Sequence, residues 1–171
     1  MKIQLLSDLH VEFEDYEYPL MESDVVVLAG DIHVKGHGLQ WAIDNIKNKP
    51  VLYVLGNHEF YGKSYPKLVD QLKTIAEGTN VHILEKDVYT INGVNFLGCT
   101  FWTDFEVFGD PRIAGYHCQQ LMTDFKKIKR SPQYSKIRSI DVAEFNRSSK
   151  KWLAKELSSR QGEMNVVITH H

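Results

Sequence analysis

The 171-residue sequence has few of the residues that would place it among disulfide-stabilised, membrane-spanning or nucleic-acid-binding proteins. Its two cysteines, Cys99 and Cys118, are too few for a disulfide framework and do not form a C-x-x-C pair. The 20 basic and 22 acidic residues lack the basic excess typical of nucleic-acid binding. No apolar run approaches the roughly 20 residues of a membrane span, and no signal-peptide pattern opens the sequence. We therefore expect a cytoplasmic protein that does not bind a membrane and whose main role is not nucleic-acid binding, although nucleic acid stays open as a partner.

The apolar segments of the first half alternate between strand and helix patterns. Residues 25–29 and 51–55 are continuous apolar runs, typical of parallel strands that are buried on both faces. Between them, apolar residues at helical spacing predict a helix over about 39–49, which makes a βαβ unit. A second helix is predicted between Pro66 and Gly78. Its expected core face consists of Leu68, Leu72, Ile75 and Ala76.

The pattern of the second half indicates antiparallel strands followed by helices. We expect the antiparallel region to begin with a short strand over 81–84, and Asn92-Gly93 between two apolar runs is a strong hairpin signal. Helices are predicted over about 119–129 and 141–160, before a last buried strand over 164–169. The basic run at 126–130 is interpreted either as a solvated helix end or as a patch for an anionic substrate.

Polar side chains follow four of the predicted strands at the point where each strand ends. These endings are Asp8-Leu9-His10, Gly30-Asp31, Gly56-Asn57-His58-Glu59 and His170-His171. In an open α/β sheet, ligands bind in the crevice outside the carboxyl ends of the strands. We therefore expect these carboxylate, imidazole and amide groups to meet in one crevice.

The residue types at the four endings indicate a metal site. Carboxylate, imidazole and amide ligands suit divalent Mn, Fe or Zn, and the lack of a thiolate argues against a closed structural zinc site. The endings offer more ligands than one ion would need. Two ions roughly 3.5–4 Å apart, sharing a bridging carboxylate, would use them. Such a pair clamps the attacking and leaving oxygens of a phosphoester, whose transition state carries charge on oxygen.

The order of these endings resembles the successive motifs of the calcineurin-like metallophosphoesterases. Asp-x-His, Gly-Asp, Gly-Asn-His-Glu and a late His follow one another over nearly the whole chain. The resemblance implies an α/β fold, a four-layer α/β-β/α sandwich of two mixed sheets, as a single domain over residues 1–171. It also implies hydrolysis of a small phosphomonoester or phosphodiester by attack of a metal-bridging hydroxide.

The resemblance further implies a ligand set for two divalent metal ions. Asp8 and His10 would bind the first ion, Asp31 would bridge both, and Asn57 and His170 would bind the second. Adjacent residues at a strand end point to opposite sides, so the next histidine, His171, remains an alternative to His170.

Two residues of the Gly-Asn-His-Glu motif are expected not to bind metal. The resemblance implies that His58 is the catalytic residue, which stabilises the transition state or protonates the leaving oxygen. We interpret Glu59 as a structural brace that hydrogen-bonds nearby backbone.

Two departures from the family pattern limit what the resemblance implies. The sequence lacks the late Gly-His-x-His motif that normally supplies one more ligand to each ion, so we expect a domain without its C-terminal strands. A non-catalytic scaffold or an inactive fragment that binds partners is therefore the alternative function.

The second departure lies in residues 30–36, which lack the aspartate and arginine of the protein phosphatases. This argues against a protein substrate and leaves the group that orients His58 unidentified. In the same region, His33 and His37 are interpreted as solvated loop histidines, with contact to the substrate as the alternative.

Overall fold

The computed structural model describes residues 1–107 and 109–171, which contain ten strands and five helices. The strands are β1 (Ile3–Leu6), β2 (Val25–Ala29), β3 (Val51–Val54), β4 (Ser64–Tyr65), β5 (Val81–Ile83), β6 (Asp87–Ile91), β7 (Val94–Thr100), β8 (Lys129–Arg130), β9 (Ser135–Lys136) and β10 (Met164–His170). The helices are α1 (Gly38–Asn45), α2 (Lys67–Ala76), α3 (Pro111–Leu121), α4 (Asp124–Lys127) and α5 (Ser139–Ser159).

The continuous apolar runs of the first half form one parallel sheet in the order β1-β2-β3-β5. One face packs against α1 and α2, where Val26 and Tyr53 share a cluster with Leu39 and Leu72. Because β2 and β3 lie in the middle of the sheet with both faces covered, they have no polar alternation.

The second sheet has the order β10-β7-β6. Strands β6 and β7 are antiparallel, and β10 runs parallel to β7. The predicted hairpin is confirmed at Asn92 and Gly93, whose φ angles of 49° and 77° are those of a tight turn that matches the twist of the strands.

The two sheets pack face to face through a second apolar cluster. Val27 and Val54 of the first sheet meet Phe96 and Ile168 of the second. On the outer side of β7 lies α5, where Ser149 donates a hydrogen bond to the carbonyl of Thr100. The layers are helix, sheet, sheet and helix, which confirms the predicted sandwich. Of these two sheets, the first is wholly parallel in the described residues, contrary to the prediction of two mixed sheets, and the second is mixed.

Several predicted details differ from the structure. Strand β5 extends the parallel sheet through β3, so the antiparallel region begins after it. On α2, Ile75 is 60% exposed and Val69 is buried in its place. The helix predicted near residues 119–129 is divided into α3 and α4. Helix α3 starts earlier than predicted because the Asp110 side chain caps it.

No helix within residues 1–107 and 109–171 combines the length and the apolar composition that a membrane crossing requires. A third, small sheet in the order β4-β8-β9 joins the segment after His58 to the segment after α4. This small sheet borders the functional site described next.

Candidate metal centre

The loops after β1 and β2 run side by side and bring the first ligands together. The backbone N–H of Asp8 donates to the carbonyl of Gly30 and that of His10 to the carbonyl of Asp31, both at 3.1 Å. Asp8, His10 and Asp31 have φ angles of 55°, 46° and 53°, in the left-handed region that residues other than glycine seldom adopt. Such local strain persists where the surroundings enforce it and is concentrated at functional sites.

Asp31 lies at the centre of the site. Its Oδ1 accepts a hydrogen bond of 2.9 Å from the backbone N–H of His58. Its Oδ2 lies 3.6 Å from Nε2 of His170 and 3.9 Å from Nε2 of His10. Two groups of potential ligands share this carboxylate, and the ligand atoms of each group lie within 4.8 Å of one another. The groups are Asp8, Asp31 and His170, and His10, Asp31 and His58.

Charge complementarity holds the Asp31–His170 pair together. Burial alone would lower the pKa of His170, but the hydrogen bonds with Asp31 and with the carbonyl of Ala29 raise it to about 9. Burial opposes ionisation of Asp31, yet His170 and His58 bring its pKa below the ordinary value. The pair is therefore an ion pair at neutral pH in the metal-free protein.

Two glycines allow the site residues to approach so closely. A Cβ at Gly30 would lie 2.3 Å from the ring of His170, and one at Gly56 would lie 2.2 Å from Oδ1 of Asp31. Gly30 also has a φ of 88°. A side chain at either position would displace a candidate ligand.

Glu59 ties together the loops that carry these ligands. Its fully buried carboxylate accepts hydrogen bonds from the backbone N–H groups of Asp31, Ile32 and Gly56 at 2.8–3.1 Å. The hydroxyl of Tyr53 donates a further bond of 2.6 Å. These contacts confirm the interpretation of Glu59 as a brace.

Asn57 is oriented by a residue that sequence reasoning missed. Its side-chain Nδ2 donates to Oδ1 of Asp124 at 2.9 Å, which turns the amide oxygen away from Asp124. The hydroxyl of Tyr61 donates to the same carboxylate oxygen at 2.7 Å. Asn57 and Asp124 line a cavity of about 160 Å³ together with the exposed His171, whose ring centroid lies 6.4 Å from that of His170. Asp124 gave no signal in the sequence because it follows no predicted strand.

His58 is held between an aromatic ring and a carboxylate. Tyr61 stacks on it with ring centroids 4.3 Å apart and an interplanar angle of 28°. Its Nδ1 lies 3.3 Å from Oε1 of Glu12, in the loop after β1. The sequence alone left the orienting group unidentified, and the structure places Glu12 in that position.

Glu12 also contacts two other histidines. Its Oε1 lies 3.5 Å from Nδ1 of His10, and its Oε2 lies 3.7 Å from Nδ1 of His33. Oε2 of Glu12 and Nδ1 of His33 are both buried, and neither has a hydrogen-bond partner in the described part of the chain. His33 is therefore half-buried and faces the site, contrary to its interpretation as a solvated histidine, whereas His37 is exposed.

The chemistry of this donor set fits divalent metal ions. The Nδ1 of His10 faces Glu12 and that of His170 faces the carbonyl of Ala29, so both rings turn Nε2 towards Asp31. Metal-binding histidines commonly direct the second ring nitrogen to a carboxylate or a backbone carbonyl in this way. Oxygen and imidazole ligands accept several divalent ions, so the donor set does not select one of them.

Comparisons with known proteins agree with this geometry. The family model described as calcineurin-like phosphoesterase matches residues 1–171. No curated protein matches the chain. A solved structure, phosphopantetheinyl hydrolase from Mycobacterium tuberculosis, is similar with a TM-score of 0.71 and 16% identity, over 99% of this chain and 67% of that chain.

Because the two sequences are only 16% identical, the similarity to the solved structure shows the fold alone. The inference about chemistry rests on the family match. The match extends over every strand end described above and supports metal-dependent phosphoester hydrolysis as the general chemistry. The chain belongs to the calcineurin-like phosphoesterase family.

Proposed function

We propose that this protein is a dinuclear metal-dependent phosphoesterase that hydrolyses a small phosphomonoester or phosphodiester. One observation carries the proposal: Oδ2 of Asp31 lies 3.6 Å from Nε2 of His170 and 3.9 Å from Nε2 of His10, so candidate ligands of both ions face the same carboxylate. A carboxylate shared in this way is what two ions bound close together require. Asp8, His10, Asn57 and His170 would hold the ions together with Asp31.

Two bound divalent ions would supply the activated nucleophile and neutralise charge on the phosphoryl oxygens. The protein's own part in the reaction centres on His58. Its backbone N–H holds Oδ1 of Asp31, and its ring is fixed by the stack with Tyr61 and by Glu12 at Nδ1. This arrangement leaves Nε2 of His58 to stabilise the transition state or to protonate the leaving oxygen.

The identity of the metal and of the substrate stays a prediction. Mn, Fe and Zn all suit the donor set. A substrate like that of the structural neighbour, which its title names as a phosphopantetheinyl hydrolase, is one candidate phosphoester. A cytoplasmic location also stays a prediction of the sequence.

The test is hydrolysis of p-nitrophenyl phosphate and bis-p-nitrophenyl phosphate by the purified protein with added Mn. We expect Asp31→Ala and Asn57→Ala each to lower kcat/KM at least about a hundredfold, because charge stabilisation by the ions is a dominant part of such catalysis. The exposed Asp15→Ala is the matched control and should retain activity. No turnover by the wild-type protein, or undiminished turnover in both site variants, would contradict the proposal.

The alternative is a non-catalytic protein of the same fold that binds partners through its surface. Metal analysis of the purified protein separates the two functions. Two ions per chain, both lost in Asp31→Ala, support the enzyme. A protein that takes up no divalent ion and hydrolyses neither ester favours the scaffold.

A further inference from the structure

A hollow lined by five lysines lies beside the candidate metal centre. Its volume is about 460 Å³, and Val34, Tyr61 and Gly62 form the rest of its wall. We call it the lysine hollow and define it by Lys35, Lys126, Lys127, Lys129 and Lys136.

Three separate parts of the chain build the lysine hollow. Lys35 comes from the loop after β2, and the stem of its side chain lies over Gly62, where a Cβ would be 3.7 Å from Cε of Lys35. The backbone N–H of Gly62 donates to the carbonyl of Lys127 at 3.1 Å. Lys129 pairs with Lys136 across β8 and β9. The lysines are therefore brought together by tertiary structure, not by the basic run in the sequence alone.

The charges of the hollow are not neutralised by the protein. All five lysines are exposed, and none forms an ion pair with a carboxylate within the part of the chain that the structure describes. Other lysines do form such pairs, for example Lys73 with Asp87 and Lys150 with Asp104. Since the whole chain has a net charge of −2, this concentration of positive charge is local. A hollow lined by one sign of charge raises the local concentration of ligands of the opposite sign.

The hollow is one side chain away from the candidate catalytic residue. Tyr61 forms part of its wall and stacks on His58 at 4.3 Å. Nζ of Lys127 lies over the same Tyr61 ring, 4.8 Å from its centroid. A substrate whose scissile phosphate lies at His58 could therefore extend past Tyr61 into the lysines.

We propose that the lysine hollow binds a second phosphate group of the substrate, so that the preferred substrate is a small phosphoester with a further phosphate on its non-reacting part. Lysine ammonium groups bind phosphate as point charges without requiring one fixed geometry. The basic run at 126–130 allows two interpretations, a solvated helix end or a patch for an anionic substrate, and we adopt the second. The inference rests on the proposed function of the neighbouring metal centre.

A matched pair of substrates tests the proposal. Thymidine 5′-(p-nitrophenyl phosphate) is compared with the same ester carrying a 3′-phosphate. We expect a lower KM for the 3′-phosphorylated ester in the wild-type protein. The triple variant Lys35→Ala, Lys126→Ala, Lys129→Ala, which keeps Lys127 on the Tyr61 ring, should raise that KM about tenfold, or about 1.4 kcal/mol. Its kcat, and its KM for the ester without the 3′-phosphate, should stay unchanged.

The control is a second triple variant with the same loss of charge elsewhere on the surface. Lys47→Ala, Lys151→Ala, Lys155→Ala replaces exposed lysines outside the hollow and should leave both KM values unchanged. Equal KM values for the two esters in the wild-type protein would overturn the proposal. An equal rise of KM in both triple variants would also overturn it, because net charge alone would then explain the effect.

A binding measurement separates failure of this proposal from failure of the proposed function. Tripolyphosphate is titrated into metal-free protein by calorimetry at low salt. We expect binding that weakens with added salt and falls about tenfold in the hollow variant but not in the control variant. If p-nitrophenyl phosphate and bis-p-nitrophenyl phosphate are not hydrolysed, the phosphoesterase proposal fails and this titration alone decides on the hollow. Tripolyphosphate binding that weakens in the hollow variant but not in the control variant supports anion binding there, and no binding overturns it.

Discussion

Two glutamates, Glu12 and Glu59, border the same candidate centre but make different kinds of contact. Glu59 is fully buried, and its carboxylate accepts hydrogen bonds from four backbone N–H groups and from the hydroxyl of Tyr53. Glu12 faces the rings of His10, His33 and His58, and its Oε2 is buried without a hydrogen-bond partner in the described residues.

The contacts of Glu59 are those of a carboxylate that holds the fold, whereas those of Glu12 are with the rings of the candidate site. Burial raises the pKa of Glu59, and its hydrogen bonds from Tyr53, Ile32 and Gly56 oppose that effect. Burial also acts to raise the pKa of Glu12, but its own backbone and the histidines bring the pKa below the ordinary value. The oxygens of Glu59 are already occupied by hydrogen bonds and are not free to contact a substrate. The carboxylate of Glu12 faces imidazole rings and can orient them.

The largest expected effect is on stability and comes from Glu59→Ala. We expect the free energy of unfolding to fall by at least about 3 kcal/mol, because several buried donors lose their acceptor and each costs about 1–3 kcal/mol. Urea denaturation measures it. Glu59→Gln, which keeps one acceptor oxygen, should lose less, and the exposed Glu77→Ala should lose little. A loss in Glu59→Ala no larger than in Glu77→Ala would contradict the role of brace.

The next effect is on activity and comes from Glu12→Gln. We expect kcat to fall about tenfold to a hundredfold with KM unchanged, because the groups that orient ligands and catalytic rings typically contribute that much. The free energy of unfolding should fall by less than the roughly 3 kcal/mol expected for Glu59→Ala, because glutamine keeps the shape of the side chain and no backbone donor loses its acceptor. Steady-state kinetics and urea denaturation together provide the check. Glu14→Gln, an exposed neighbour in the same loop, is the control. A fall in kcat that is matched by a loss of stability would assign Glu12 to the fold instead.

The smallest effect is expected from His33→Gln. Nδ1 of His33 lies 3.7 Å from Glu12, beyond hydrogen-bond distance, and burial lowers the pKa of His33, so the ring is neutral near pH 7. We expect kcat/KM to change by no more than about twofold. Steady-state kinetics of His33→Gln measure the change, and the same measurement on the exposed His37→Gln is the control. A tenfold loss in His33→Gln alone would show that Glu12 acts through three rings and not two.

The candidate ligands could be predicted from the sequence because each follows a strand. An apolar run that ends in Asp31 or Asn57 gives both the element and the edge of the sheet at which the side chain lies. Glu12 and Asp124 follow no such run. They reach His58 and Asn57 across 46 and 67 residues of chain, and no local pattern reports contacts over that distance.

The lysine hollow and the core face of α2 also depend on tertiary contacts that no local sequence pattern reports. The basic run was visible, but Lys35 and Lys136 join it through the loop after β2 and the pairing of β8 with β9. On α2, helical spacing placed both Leu72 and Ile75 on the core face, whereas packing buries Val69 and leaves Ile75 exposed. Periodicity gives the apolar side of a helix, and the neighbouring elements decide how much of it is covered.

The contact of His170 with Gly30 and Ala29 has a consequence for how the two sheets stay together. His170 ends β10 in the second sheet, while Ala29 ends β2 in the first, 141 residues earlier in the sequence. Any ion held by Asp31 and His170 would therefore be a non-covalent cross-link between the sheets, available only when they are docked. By linkage, an ion present at a hundred times its Kd would add about 2.7 kcal/mol to the free energy of unfolding. Metal supply would then govern the lifetime of the folded protein as well as its catalytic competence.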